Sequence, residues 1–480
     1  MSRMSIAAGI FLLFQVAGFI SSLHAVLNTR TSQGAIAWVV SLNTMPVIAV
    51  PAYWVFGRSK FQGYVDALKD TNLIIEEDKK KIHQEFAPFV VHVPDDFPEY
   101  KAITRLSTSP FLKGNRVELL VDGEATYKSL EEGIKRASSY ILFQFYILRA
   151  DSTGKRFMEL LIDRAKAGVS VYVLYDELGS REITETQLGE LRAAGIGIAP
   201  FNTTQGDMNR FQINFRNHRK IMVVDGKETW LGGLNIGDEY LGLDRKLSPW
   251  RDTHLHIEGP AALVAQSIFW SDWHWANREL LTGLNWIPQK APDMAEENGQ
   301  DVLVLGSGPA DELETASLFF TTVLNTARKR IWIATPYFIP DETTQVALYL
   351  ALLEGLDVRI ITPRINDNWF VSNAAKVYLS ELSNLGARIY YYDKGFMHQK
   401  TVLIDDKLSL IGTVNFDNRS FRLNFEVTGV VADRKFARRV ERMLKEDLAN
   451  STELKDFDLH QSSLWERMKA RGSALLSPVL

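Results

Sequence analysis

One spacing, His-x-Lys-x4-Asp-x6-Gly-(Gly/Thr)-x-Asn, occurs twice in this chain of 480 residues. The first copy is His218, Lys220, Asp225, Gly232, Gly233 and Asn235; the second is His398, Lys400, Asp405, Gly412, Thr413 and Asn415. Ordinary residue frequencies would give a single copy on the order of 10⁻⁵ times in a chain this long. Two copies therefore require a chain built as two related halves. Other segments repeat with them: Ala137–Ile147 matches Ala327–Tyr337, Ala167–Val171 matches Glu354–Val358, and Leu191–Phe201 matches Leu382–Tyr392. These pairs lie 187 to 191 residues apart and the motifs 180, so the first half carries about ten extra residues near Thr203–Arg216. Apolar strand runs alternate with helical stretches such as Glu312–Arg330, which predicts an α/β fold with a mixed sheet in each half.

The motif has a strand reading. Phe215–Asp225 and Phe396–Asp405 run from a polar start into Ile-Met-Val-Val or Val-Leu-Ile and end on turn residues. On a strand, residues i and i+2 share a face, so His218 projects with Lys220 and His398 with Lys400. Asp225 and Asp405 fall on the other parity or in the turn, which suits a structural role within the motif. The Gly-x-Asn segment suits a second strand, close-packed at its glycine, that delivers the amide of Asn235 or Asn415. Two imidazoles paired with fixed cations make a site for a phosphoryl group with one histidine on either side. A lysine on the same face would repel a metal ion and no cysteine is present, so neither metal nor cofactor is expected.

The duplicated motif resembles the HKD signature of the phospholipase D superfamily, and the whole chain resembles the bacterial cardiolipin synthases within it. The resemblance includes Thr335-Pro336-Tyr337-Phe338-Ile339-Pro340, Gly412-Thr413-Val414-Asn415, Arg419-Ser420, Leu423-Asn424-Phe425-Glu426 and the Leu-Ser-Pro-Val-Leu ending. It implies two pseudo-symmetric phospholipase D-like α/β halves behind a two-helix transmembrane hairpin. His218, Lys220, Asp225, His398, Lys400 and Asp405 form the implied catalytic set, with Asn235 and Asn415 binding substrate. In this superfamily an acid downstream of each motif holds the histidine of the other half. Similarity thus implies Glu426 for His218 and Asp252 for His398, since a nucleophilic imidazole needs its far nitrogen held by an acceptor. His254 and His256 share a strand face and are read as surface or hydrogen-bonded core residues. Tyr146 and Tyr337, at matching places after the first strand of each half, are read as packing.

The N-terminus carries a second kind of information. Ser5–Leu27 and Ala35–Phe56 contain no Asp, Glu, Lys or Arg, and each exceeds the roughly 20 residues that span a bilayer. Read as two spans, they leave both ends on one side. Arg3, Arg58 and Lys60 outnumber Arg30, so the catalytic region is expected to face the cytoplasm from the inner membrane. Pro46 and Pro51 suggest that the second span is bent or partly re-entrant. The expected division is hairpin 1–58, connector 59–115, first half 116–286, linker 287–300, second half 301–450 and tail 451–480. The charged run Glu76–Lys81 of the connector reads as a solvated face. The tail Leu464–Leu480 mixes apolar and basic residues and could lie on the membrane or be strapped to the core.

The activity implied is transfer of a phosphatidyl group from one phosphatidylglycerol to another through a phosphatidyl-histidine, releasing glycerol and forming cardiolipin. The resemblance favours His218 as the nucleophile, while the pseudo-symmetric sequence leaves the choice between His218 and His398 open. The expected partners are phosphatidylglycerol and the bilayer. The alternatives are a hydrolytic phospholipase D, or a phosphatidyltransferase using an acceptor such as phosphatidylethanolamine or serine. A net charge of −4 gives no global basic field, and with the apolar N-terminus this argues against a nuclease. A catalytically silent scaffold would show a degraded motif, and both motifs are intact.

Overall fold

The computed structural model describes residues 3–57, 60–61, 63–67, 84–92, 98–107, 109–202, 214–244, 247–292, 299–455 and 457–480. The first half contributes β1 (Leu112–Val121), β2 (Tyr140–Phe145), β3 (Ser170–Asp176), β4 (Gly197–Phe201), β5 (Arg216–Asn217), β6 (Ile221–Val224), β7 (Glu228–Gly232), β8 (Trp250–Arg251) and β9 (Thr253–Glu258). The second contributes β10 (Gln300–Ser307), β11 (Arg330–Ala334), β12 (Phe338–Ile339), β13 (Asp357–Pro363), β14 (Arg388–Tyr392), β15 (Phe396–Met397), β16 (Thr401–Ile404), β17 (Leu408–Gly412), β18 (Phe416–Asp417), β19 (Asn424–Ala432) and β20 (Ser451–Leu454).

The two halves use one strand order. In the first, β2, β3 and β4 are parallel, β6 runs antiparallel to β2 and β7, and β7 pairs with β9. In the second, β11, β13 and β14 are parallel, β16 runs antiparallel to β11 and β17, and β17 pairs with β19. β1 joins β9 to β10, and β10 joins β19. The segments matched in the sequence fall on β2 and β11, on β3 and β13, and on β4 and β14. All six residues of β2 are buried, as expected of parallel strands covered on both faces. The largest core cluster is shared by the halves: Leu231, Leu255 and Ile257 of one lie in it with Ile411, Val427 and Val431 of the other. A flanking cluster lies against the outer helices of each half.

The N-terminal region departs from a two-helix hairpin. α1 (Arg3–Asn28) is one helix of 26 residues, the only one among the described residues long and apolar enough to cross a membrane. The second apolar stretch is divided into α2 (Ser32–Thr44) and α3 (Pro46–Phe56). Pro46 is the cause: the residue before a proline is pushed out of the helical region, and Met45 sits at φ −133°, ψ 57°. Pro51 is accommodated within α3.

β1 begins at Leu112 and not at Arg116, and the connector contains a helix, Pro98–Leu106. The charged run Glu76–Lys81, most of the insertion near Thr203–Arg216 and the acidic part of the linker lie outside the described residues. The tail is strapped to the second half. Its helix Leu464–Ala474 packs on the helix Trp369–Asn384, with a Lys376–Glu466 contact of 3.4 Å and a Tyr378 hydroxyl bonded to Ser477 at 2.8 Å.

Candidate active site

Neither histidine lies on an uninterrupted strand. β5 stops at Asn217 and β6 starts at Ile221, leaving His218, Arg219 and Lys220 between them. The break marks a change of partner. β5 pairs in parallel with Asn424 and Phe425 of the other half, and the His218 N–H donates to the Phe425 carbonyl at 2.9 Å. β6 then joins its own sheet. The second half does the reciprocal thing: β15 pairs with Trp250 and Arg251, and the His398 N–H donates to the Arg251 carbonyl at 2.7 Å.

This exchange sets the side chains. Phe425 is followed by Glu426, whose carboxylate oxygens lie 2.9 and 3.1 Å from His218 Nδ1. Arg251 is followed by Asp252, with Oδ2 2.8 Å from His398 Nδ1. Each histidine is thus held by the acid of the opposite half, and both acids are fully buried. Both histidines line one cleft of about 930 Å³, together with Asn235, Asn415, Tyr146, Tyr337, Arg216 and Arg419. A carboxylate on Nδ1 fixes the proton there and leaves Nε2 to face the cleft.

Burial dominates the electrostatics. It lowers His218 to about 4, with Lys220 adding to the effect and Glu426 opposing it. His398 is held well below the usual range by burial, and then by Lys400 and Lys220. Both imidazoles are therefore neutral at pH 7. Burial also lowers Lys220 strongly and Lys400 to about 8. Burial works to raise Glu426, but His218 and Lys220 outweigh it and keep the carboxyl below its ordinary value. Burial raises Asp252, against Lys400. Each lysine ammonium donates to the carbonyl of its own histidine, at 2.6 Å for Lys220 and His218. Lys220 also lies 5.2 Å from the centre of the Tyr146 ring.

Asp225 and Asp405 do not line the cleft. Both sit at positive φ, 54° and 52°, in the turns after β6 and β16. The Asp225 carboxylate accepts from the N–H groups of Ser138, Ser139 and Tyr140 at 2.7–2.9 Å and from the Ser138 hydroxyl. Asp405 accepts from the N–H groups of Arg328, Lys329 and Arg330. Each pins the start of the neighbouring parallel strand, so their part in the motif is architectural. The glycines are steric. A Cβ on Gly232 would lie 2.5 Å from His254 Cα, and one on Gly412 2.3 Å from the Val427 carbonyl oxygen. Asn235 is engaged on both sides: its carbonyl accepts from Ile147 N and its amide donates to the Tyr240 hydroxyl. Asn415 differs, with its buried carbonyl oxygen unpartnered.

Tyr146 and Tyr337, read from the sequence as packing, and Arg419 of the Arg-Ser segment also line the cleft. Tyr146 packs edge-on against His218 at 5.1 Å, and the Tyr337 hydroxyl donates to Asp367 at the cleft. The Arg419 guanidinium donates to the side-chain and main-chain oxygens of Asn214, and its N–H donates to the carbonyl of Leu480. Behind the motif, Arg219 donates to Asp272 at 2.5 Å and to the Glu426 carbonyl at 3.0 Å. Gln399, the equivalent of Arg219, donates to Asp447 at 2.7 Å, which Arg251 also contacts. For Arg219 and Gln399, which the sequence reading did not use, the only signal was position, since each is the middle residue of His-x-Lys.

His254 is fully buried with both nitrogens unpartnered, and His256 stacks on Trp230 at 4.2 Å and contacts Glu228. Among the described residues, Glu228, His256 and Glu258 could converge on a metal ion. They lie outside the cleft, and Arg136 and Arg116 neutralise the two carboxylates.

A family model described as "Cardiolipin synthase, PLD-like domain" matches residues 130–273 and 320–448. A cardiolipin synthase A from Pseudomonas fluorescens is 42% identical over 468 residues, covering 96% of each chain. Another from Pseudomonas aeruginosa is 42% identical over 471 residues, 97% of this chain and 94% of the relative. Among solved structures, phosphatidylserine synthase from Haemophilus influenzae matches with a TM-score of 0.60 at 16% identity, over 80% of this chain and 100% of that one. That likeness speaks for the fold alone.

Proposed function

The chain belongs to the cardiolipin synthase family with phospholipase D-like domains, and on that premise we propose that it transfers a phosphatidyl group between two phosphatidylglycerol molecules. The observation that carries the reading is the pair of imidazoles in one cleft, each bound at Nδ1 to the carboxylate of the other half. The halves 116–286 and 301–450 act as one unit.

Nε2 of His218 attacks the phosphodiester phosphorus of the donor, and the bond from phosphorus to the glycerol oxygen breaks. His398 protonates that oxygen, and glycerol leaves. His398 takes up that proton from solvent when the substrate binds. A phosphodiester anion bound beside Lys220 and Lys400 adds the negative charge that burial denies the imidazoles, raising their pKa values. Lys220, Lys400 and Asn415 stabilise the phosphoryl oxygens, where charge concentrates, while Asn235 positions its loop. His398, now neutral, takes the proton from a hydroxyl of a second phosphatidylglycerol. That oxygen attacks phosphorus, the phosphorus–nitrogen bond to His218 breaks, and cardiolipin forms. Glu426 and Asp252 balance the imidazolium charge at each stage.

The finer localisation proposed is the cytoplasmic (inner) membrane with the catalytic body facing the cytoplasm, supported by α1 and the placement of basic residues. The test uses purified protein in mixed micelles whose only phospholipid is phosphatidylglycerol, with a chelator present. Cardiolipin with about one glycerol per molecule is expected by mass spectrometry. Phosphatidic acid as the main product would make the enzyme a hydrolase, and no turnover would move the search to other acceptors.

A further inference from the structure

Two contacts fix where the apolar N-terminal region begins and ends its second stretch. Arg30, in the turn after α1, pairs with Glu314 of the catalytic body. Lys60, just beyond α3, donates to the carbonyls of Asp311 and Glu312, at 2.9 Å for the latter. Phe61 follows with its N–H on the Pro309 carbonyl and its ring buried against Phe215, Trp275 and Phe425. Glu312 and Glu314 are two residues apart, at most about 7 Å. Residues 32–56 as one straight helix would hold their ends about 37 Å apart at 1.5 Å per residue. A second membrane crossing is incompatible with both contacts.

The internal packing shows how the chain returns. Gln15 of α1 donates to the Asn43 carbonyl at 3.2 Å, and Asn43 donates to Ser22 at 2.8 Å, so the end of α2 lies against the middle of α1. Gly18 abuts Leu42 and Pro46, where a Cβ would lie 2.3 Å from the Leu42 carbonyl oxygen. α3 then runs back, with Trp54 bonded to Ser21 at 3.1 Å and the Tyr53 hydroxyl 2.6 Å from His24. α2 and α3, of 13 and 11 residues, are about 20 and 16 Å long, well short of the roughly 30 Å hydrocarbon core. Their outer surfaces expose Ile36, Val40, Val47 and Ile48, and α1 exposes Phe11, Leu13, Phe19 and Ile20.

We infer that α1 crosses the membrane once, and that α2 and α3 form a re-entrant helical hairpin embedded in the leaflet next to the catalytic body. The partner of this surface is the acyl region of that one leaflet. Its tip, Met45–Pro46, is held at mid-depth by Gln15, Asn43 and Ser22. Non-helical backbone is stable there only when its polar groups are satisfied within the protein. The N-terminus and the catalytic body lie on opposite faces, replacing the two crossings expected from hydropathy. Arg30 and Lys60 share the body's side and only Arg3 lies across, so the basic-residue rule still assigns the body to the cytoplasm.

This inference rests on the reading of α1 as a membrane span, and the experiment separates the two. The chain has no cysteine, so Ser2→Cys, Ser32→Cys and Ser170→Cys each give one reactive thiol. The full-length variants are labelled with a membrane-impermeant maleimide in spheroplasts and in inverted vesicles. Ser32→Cys is expected to label with Ser170→Cys in the same preparation, and Ser2→Cys in the other. Ser32→Cys opposite Ser170→Cys, with Ser2→Cys on its side, would establish two crossings and overturn the inference. Release of the protein by alkaline carbonate, or labelling of all three in both preparations, would overturn the membrane reading beneath it.

Discussion

Gly233→Ala is expected to disable the enzyme without touching a reacting group. A Cβ at residue 233 would fall 2.0 Å from Asp252 Oδ1, 2.8 Å from its Cγ and 2.9 Å from Oδ2. The carboxylate has nowhere comfortable to go: it is fully buried, accepts from Thr253 N at 2.8 Å and holds His398 Nδ1 at 2.8 Å. Restoring ordinary contact needs a shift of about 1 Å or more, enough to break the His398 bond, because hydrogen bonds weaken steeply with distance and angle. Leaving a buried charge without its partner costs about 3–5 kcal/mol. At 1.36 kcal/mol per tenfold this is a fall of roughly 150- to 5000-fold in kcat. KM should change little, since Lys220 and Lys400 are undisturbed. The assay is steady-state release of glycerol and formation of cardiolipin in phosphatidylglycerol micelles, with a melting curve to show that the variant is folded. Asp252→Asn and the double variant complete a cycle, and because Gly233 acts through Asp252 the two losses should be far from additive. Near-normal kcat in folded Gly233→Ala, or additive losses, would refute the argument.

His218→Ala and His398→Ala should each abolish transfer. With a p-nitrophenyl phosphodiester donor, whose leaving group needs no proton, His398→Ala should regain nitrophenol release and His218→Ala should not; the reverse result would exchange the roles. Stability should fall with acid. Burial lowers His218 to about 4 and His254 to about 3 from an ordinary 6.5, so below pH 6.5 the unfolded chain binds more protons than the folded one. Denaturant midpoints should be level above pH 6.5 and decline toward pH 4, and a flat profile would contradict the neutral buried imidazoles. Asp225→Ala should lose about 2–3 kcal/mol of stability in chemical unfolding. Asp225→Asn should lose less, because asparagine tolerates the positive φ and keeps one acceptor.

The duplication made both the α/β halves and the motif residues legible, because spacing survives where surroundings differ. The sequence was less informative wherever a residue's partner lies far along the chain. Parity grouped His218 with Lys220 on one strand face, but the strand was misread as continuous, since β5 ends at Asn217 and β6 begins at Ile221. Its first two residues hydrogen-bond to β19, some 200 residues away, and hydropathy carries no trace of such an exchange. Asp272, on a largely apolar helix, and Asp447, on an amphipathic one, escaped notice for the same reason: each gains its meaning only from Arg219 or Gln399 across the core. The second apolar stretch looked long enough to span because composition counts residues and not direction. Pro46 marked the break, but it takes the contacts of Arg30 and Lys60 with the body, and the packing of α2 and α3 on α1, to show that the chain doubles back.

The strand exchange explains why the middle residue of His-x-Lys differs between copies while its neighbours do not. The two histidines line the cleft, each with its lysine buried beside it and bonded to its carbonyl, and on the proposed mechanism the two pairs serve one phosphoryl group from two sides. The residue between His and Lys points rearward, where its only task is to anchor the crossing to a buried aspartate on the following helix. Arg219 does this as a cation, bonded also to the carbonyl of Glu426 and so to the strand that carries its own histidine's acid. Gln399 can be neutral because Arg251, from the exchanged strand, supplies the charge on Asp447 at 2.7 Å. In both halves a buried aspartate meets one arginine, but in the second half that arginine comes from the opposite half. Each anchor thereby ties a histidine to the strand bearing its carboxylate, and neither half contains both members of a histidine–acid pair. The site exists only when the two halves are folded together.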